Sequence, residues 1–362
     1  MVPYFILIGA PAFIYILLGV SHIDTKLRTK ITVDAFFGIM LVLLMLRAES
    51  IGIDLPVYKY HFENYSKLSF TQIKEGILSG AFETGYVTIC RIVGIFTDNF
   101  RYVLIACALI AVIPVWHFYR REEKFGFFLS VMFANVAPFT MYFSGLRQAM
   151  AMAFAILAYY CCKEKKPVRF LITVLVAFLF HRSALILLLM YPVFHLRLKS
   201  PAQLLFAAPP IALVFVFKVQ IFTFLMQFSG DTYYSRYAEG VKETGASSVL
   251  ILLFALTAVS FVIPDQNLLE EDDIGLRNIL LLASVLQIFA GVHSIAMRMN
   301  YYFLLFVPIA VGRCLGKSAT NRKVADIALI CLTCFMSLYF FYHAYNSEDI
   351  LQVFPYVSIF AE

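Results

Sequence analysis

Two short blocks hold the residue types best suited to chemistry. Ser144-Gly145-Leu146-Arg147-Gln148-Ala149 sets an arginine and a glutamine just past a Ser-Gly pair. Phe180-His181-Arg182-Ser183-Ala184 sets an imidazole, a guanidinium and a hydroxyl side by side within a long apolar stretch. Arginine offers phosphate a planar, two-pronged donor, and a helix N-terminus adds amide donors and a favourable dipole. Arg147, at a predicted helix start with Gln148 beside it, therefore suits a diphosphate. His181 can take a proton near neutral pH, with Arg182 and Ser183 placed to hold a polar substrate. Arg298, in Met297-Arg298-Met299-Asn300-Tyr301-Tyr302, is a second candidate phosphate ligand, also expected where a helix starts. Arg47 with Gly52 and Asp54, and Glu83 and Tyr86 flanking Gly85, add one cation and two carboxylates. Tyr233, Tyr234 and Tyr237, next to Asp231 and Arg236, suit a sugar path, because rings stack on pyranose faces while hydroxyls bond the polar edges.

These residues must be positioned by membrane helices. Of 362 residues, 61% are hydrophobic and 14% charged, against about 45–50% and about 25% in soluble domains. Mean hydropathy is +0.81. A spanning helix needs about 20 mostly apolar residues. The apolar runs predict twelve spans: 3–20, 31–48, 101–119, 125–143, 147–162, 168–180, 184–195, 202–222, 247–263, 278–295, 301–315 and 324–342. The expected fold is all-α, one integral membrane domain over 1–362, with Pro209-Pro210 kinking the eighth span. The first apolar run has no basic residue before it and no small-residue cleavage site after it, so it reads as a span and not a cleavable signal peptide.

Basic residues orient the bundle. Lys26, Arg28 and Lys30, then Arg120, Arg121 and Lys124, then Lys163, Lys165, Lys166 and Arg169, then Arg197 and Lys199, then Arg277, then Arg313, Lys317, Arg322 and Lys323 fall on one side, which the positive-inside rule makes cytoplasmic. Both termini then face outward, as do loops 49–100 and 223–246. Residues 83–97 are apolar but too short to span, and are expected as an amphipathic helix on the outer interface. The candidate chemistry thus gathers at the external ends of helices. Charges at membrane depth are costly and by default mark function.

Several classes are excluded. The net charge of +6 comes from short basic clusters between spans, not from a nucleic-acid footprint. There is no P-loop, no glycine-rich dinucleotide fingerprint and no H-E-x-x-H. The seven cysteines lie mostly in apolar runs, and Cys331 and Cys334 lack the second pair that a zinc site needs. No metal and no cofactor are expected, so an enzyme here would draw its energy from an activated substrate.

In these blocks the chain resembles the EpsG-like family of bacterial polysaccharide polymerases, related to the Wzy O-antigen polymerases. The resemblance runs through Arg47, Gly52-Ile53-Asp54 and Tyr58, then Glu83 with Gly85-Tyr86, the Arg147-Gln148 block, the Phe180-His181-Arg182-Ser183 block, the tyrosine-rich outer loop, and Arg298 with Tyr301. Ile53 stands where that family commonly has threonine. The resemblance implies a GT-C-like membrane glycosyltransferase of the bacterial cytoplasmic membrane with an external active face. It would move a growing glycan from undecaprenyl diphosphate to a lipid-linked repeat unit, without metal. The implied partners are the undecaprenyl-diphosphate-linked oligosaccharide, membrane lipid, a chain-length regulator and a flippase, with no nucleic acid. On that reading Arg147, Arg298 and Arg47 hold the diphosphate. His181, Asp54 or Glu83 deprotonates the acceptor hydroxyl. The sequence also leaves open a lipid-linked oligosaccharide flippase, an O-antigen ligase and a membrane acyltransferase.

Overall fold

A computed structural model describes residues 2–78, 83–228, 247–346 and 351–361. Among the described residues the chain is helical with no strand, apart from an isolated bridge between Arg47 and Ser358. Two compact units are present, Met1–Leu188 with Cys331–Glu362, and Leu189–Ile330.

The first unit holds α1 (Val2–Val20), α2 (Thr25–Leu46), α3 (Leu55–Tyr65), α4 (Phe70–Leu78), α5 (Thr84–Phe96), α6 (Arg101–Tyr119), α7 (Gly126–Asn135), α8 (Met141–Ser144), α9 (Leu146–Lys163) and α10 (Pro167–Phe180). Its core is aromatic: Phe36, Phe37, Tyr119 and Phe133 pack on one another, mostly edge to face. The predicted cytoplasmic end is tied by Asp34, which takes both the Arg120 Nε–H at 2.6 Å and the Trp116 indole N–H at 2.8 Å.

The second unit holds α11 (Met190–Phe194), α12 (Pro201–Val216), α13 (Lys218–Phe228), α14 (Ser247–Val262), α15 (Glu271–Ala290), α16 (Ser294–Leu304), α17 (Val307–Gly316) and the start of α18 (Arg322–Asn346). On α15, Asp272 pairs with Arg313 at 2.7 Å and Asp273 with Lys317 at 2.6 Å. Arg277, fully buried, donates to Gln266 Oε1 at 2.9 Å and to the Leu198 carbonyl.

Among the described residues five helices are long and apolar enough to cross a membrane: α1, α2, α6, α15 and α18. Two bent pairs bring this to seven if each is one span, Pro201–Val216 with Lys218–Phe224 (72°) and Ala296–Leu304 with Val307–Gly316 (42°). The chain is a polytopic membrane protein. Several predicted spans come as pieces. The run 125–143 breaks after Asn135, ahead of Pro138, which has no N–H and pushes the preceding residue out of helix. The run 184–195 opens as a 3-10 helix, Arg182–Leu189, before α11. The bend expected at Pro209-Pro210 comes later, at Phe217, where the backbone leaves the helix (φ −99, ψ 17).

Segment 49–100 carries three helices where the sequence suggested one. The predicted interfacial helix is α5, and α3 and α4 precede it. The chain end packs on the connection between α2 and α3. Ala48 N–H donates to Val357 O at 2.9 Å, and Ile359 N–H to Leu46 O at 3.0 Å. Gly52 N–H donates to Gln352 O at 3.1 Å, and Ile53 N–H to Leu351 O at 3.0 Å.

Candidate functional site

Two loops meet first. The α2–α3 connection passes so close to Phe143 that a Cβ on Gly52 would sit 2.3 Å from its carbonyl oxygen, and Gly52 itself has φ +112. Only glycine takes that backbone without strain. The approach carries Asp54 to Ser144, whose hydroxyl donates to Asp54 Oδ2 at 3.1 Å. Asp54 is the N-cap residue of α3, yet its carboxylate caps nothing. It is spent on the neighbouring loop instead.

Glu83 repeats the pattern. It is the N-cap residue of α5 without a side-chain cap bond. Its Oε1 accepts the Arg182 backbone N–H at 3.0 Å, and its Oε2 pairs with Arg147 Nη1 at 2.9 Å. Gly85 allows this, because a Cβ there would lie 2.6 Å from the Phe180 ring. The start of α5 thus rests on the residue before His181.

Arg147 is the centre of the cluster. It lies in the first turn of α9, whose N-cap residue is Gly145, so no side chain caps that N-terminus. Its Nε donates to the Tyr58 hydroxyl at 3.3 Å, and its guanidinium lies 5.5 Å from the Tyr58 ring centroid. The Arg147 side chain is 42% exposed, against 12% for Glu83, so an outside anion can reach it. Burial pushes the Tyr58 phenol up, outweighing the opposing pull of Arg147. Tyr86 braces Tyr58 from behind: its hydroxyl donates to Tyr58 O at 3.1 Å and the rings meet at 5.1 Å.

His181 and Ser183 form a local unit. The Ser183 N–H donates to His181 Nδ1 at 3.3 Å, and the Ser183 hydroxyl lies 2.7 Å from the same nitrogen. An Nδ1 that accepts an N–H holds no proton, so the neutral ring carries its proton on Nε2. In this arrangement the ring's donor is its Nε2–H.

The structure therefore brings together Asp54, Tyr58, Glu83, Tyr86, Arg147, His181, Arg182 and Ser183. Gln148 is next to Arg147 in sequence but 1% exposed, turned into the core. Arg47 is also 1% exposed. Its Nη1 donates to Tyr142 O at 3.2 Å, its guanidinium faces the Phe143 ring at 5.5 Å, and its Nε has no hydrogen-bond partner. The sequence placed Arg47 at the outer surface as a substrate ligand; here it supports the 142–144 loop from beneath, and the chain end closes over it. Arg298 lies in the second unit, exposed on α16 and one turn inside it, not at its start. Tyr233, Tyr234 and Tyr237 lie outside the described residues.

Two residues of the cluster escaped the sequence reading. His61 and Tyr65 stack at 5.1 Å with an interplanar angle of 10° on the same helix as Tyr58. Burial first, and Arg147 second, hold the His61 imidazole below its usual range. The spacing 54, 58, 61, 65 was the available signal. Among the described residues no group of three or more His, Cys, Asp and Glu side chains is placed to hold a metal ion.

With this geometry in place, the chain matches the model of the EpsG family over residues 30–358, nearly its whole length. No curated protein and no solved structure matches it.

Proposed function

The chain belongs to the EpsG family, and from that premise we propose that it is a polysaccharide polymerase acting on undecaprenyl-diphosphate-linked oligosaccharides at the outer face of the bacterial cytoplasmic membrane. The observation that carries the reading is Arg147. It is a reachable guanidinium in the first turn of an uncapped helix, held between Glu83 and the Tyr58 hydroxyl. We infer the finer topology as twelve crossings in a GT-C-like bundle, with the shorter apolar helices completing the spans.

In the proposed step the acceptor hydroxyl oxygen attacks the anomeric carbon of the donor glycan as the bond from that carbon to the diphosphate oxygen breaks. The diphosphate leaves with the electron pair. Arg147 and the α9 N-terminus stabilise the growing negative charge, as fixed donors do in a low-dielectric site. His181 donates from Nε2 to the same leaving group or to a sugar oxygen. The acceptor proton goes to Asp54, because Glu83 has both oxygens engaged and His181 has its Nδ1 engaged. Attack opposite the leaving group inverts the anomeric carbon. The Arg147 guanidinium and the helix N-terminus supply the positive charge that this step needs.

The test uses purified protein in lipid with a defined undecaprenyl-diphosphate oligosaccharide in EDTA, products resolved by gel. A ladder with released undecaprenyl diphosphate, lost in Arg147→Ala while that variant still inserts, is expected. A normal ladder from Arg147→Ala overturns the assignment. No ladder, but rapid movement of the same lipid between leaflets, replaces the polymerase with a flippase.

A further inference from the structure

Beside Asp54 and Tyr58 the same helix carries two stacked rings, His61 and Tyr65. Asp54, Tyr58, His61 and Tyr65 follow the spacing i, i+4, i+7, i+11, which lines them along one stripe of α3. At 1.5 Å per residue the stripe runs roughly 16 Å. Its middle is fixed at Arg147 by the bond from Nε to the Tyr58 hydroxyl at 3.3 Å. Beyond it, His61 lies about 4.5 Å further along the axis, about the length of one sugar ring.

The His61–Tyr65 stack is not the core of α3. Leu55, Tyr58 and Phe62 fill that role at 1%, 6% and 2% exposure, while His61 and Tyr65 are half-buried on its flank. Tyr60, 65% exposed, meets the His61 ring edge to face at 5.8 Å and extends the aromatic surface. The two near-parallel rings leave part of their surface open, and neither His61 ring nitrogen has a hydrogen bond among the described residues. A pyranose has an apolar C–H face that stacks on such rings and a polar rim that bonds their tips.

We propose that the His61–Tyr65 pair is a carbohydrate subsite, taking the sugar rings next to the diphosphate held at Arg147. The inference rests on the polymerase reading of the site and adds its glycan-binding surface. An imidazole kept neutral by burial and by Arg147 suits stacking, since a charged ring would be repelled by that arginine.

The test titrates the protein in lipid nanodiscs with soluble disaccharides of glucose, galactose and N-acetylglucosamine, carrying neither lipid nor phosphate, by saturation-transfer NMR. At least one disaccharide is expected to show transfer to its ring C–H protons. His61→Ala or Tyr65→Ala should weaken it about tenfold. His61→Phe and Tyr65→Phe keep the stacking surface and should stay within about twofold. Binding of no disaccharide, equal binding by the alanine variants, or loss in the phenylalanine variants overturns the subsite. Undecaprenyl diphosphate without sugar is titrated in parallel. Its binding without any disaccharide binding sinks the subsite alone. Disaccharide binding without it sinks the polymerase reading and leaves the subsite standing.

Discussion

Glu83→Gln separates two roles that one carboxylate could play. Glu83 accepts the Arg182 N–H at 3.0 Å and pairs with Arg147 at 2.9 Å. Glutamine keeps an oxygen for the backbone N–H and puts an amide where the charge was. The Arg147 contact is an ion pair and not an aligned hydrogen bond. Because the Arg147 side chain is 42% exposed, solvent screening holds the pair to about 1 kcal/mol. The variant should unfold at a modestly lower temperature. At the same time an incoming diphosphate no longer competes with a carboxylate for Arg147. The same ~1 kcal/mol then returns as roughly fivefold tighter binding of undecaprenyl diphosphate, read by titration in nanodiscs. If Glu83 were instead the general base, the variant would bind the lipid as before and lose turnover by roughly a hundredfold or more. Unchanged or weaker lipid binding at unchanged stability would refute the competition argument.

Further substitutions probe the support of the site. Gly52→Ala must carry a Cβ at φ +112 and 2.3 Å from Phe143 O. It should cost about 2–3 kcal/mol in thermal unfolding and reduce turnover by pulling Asp54 from Ser144; wild-type stability would show that the loop approach is not tight. Arg47→Met keeps the volume and removes a buried cation that has no carboxylate partner among the described residues, its Nη1 bonded to Tyr142 O at 3.2 Å. Stability within about 1 kcal/mol of the parent, or above it, is expected, and a collapse of expression and melting temperature would contradict this. Arg298→Ala on the exposed face of α16 should leave folding intact and weaken binding of the diphosphate lipid; unaltered affinity removes Arg298 from the list of phosphate ligands.

Much of the helical architecture was legible because hydrophobicity in a membrane protein is nearly continuous. The runs that became α1, α2, α6, α15 and α18 announce themselves by length. What the sequence hid was backbone irregularity inside apolar runs. The 3-10 segment Arg182–Leu189 and the break after Asn135 leave composition unchanged. The site was half legible for a related reason. Arg147 and Glu83 stood out by chemistry, but their pairing depends on the approach of the α5 start to Phe180. Arg47 misled because its position at a helix end suggested solvent, and the chain end that buries it is more than 300 residues away in sequence. His61 and Tyr65 were visible only as a helical stripe, and no stripe could be drawn in 49–100 until α3 was placed there.

Asp54 and Glu83 share one departure from helix convention, and it argues for function more strongly than either residue alone. Each stands at the N-cap position of its helix, and neither side chain makes the cap bond. A side-chain cap is worth about 1 kcal/mol, and both helices forgo it. The loss is offset in part by the bonds to Ser144, Arg182 and Arg147. Those bonds serve no single helix; they join α3, α5 and α9 and the start of the 3-10 segment at one point. Restoring the local caps should therefore stabilise each helix and dismantle the cluster. Asp54→Ser and Glu83→Ser test this directly, since serine caps well but reaches neither Ser144 nor Arg147. Greater helix stability with lost turnover is the expected pair of results, and retained turnover would mean that the two carboxylates are not what assembles the cluster.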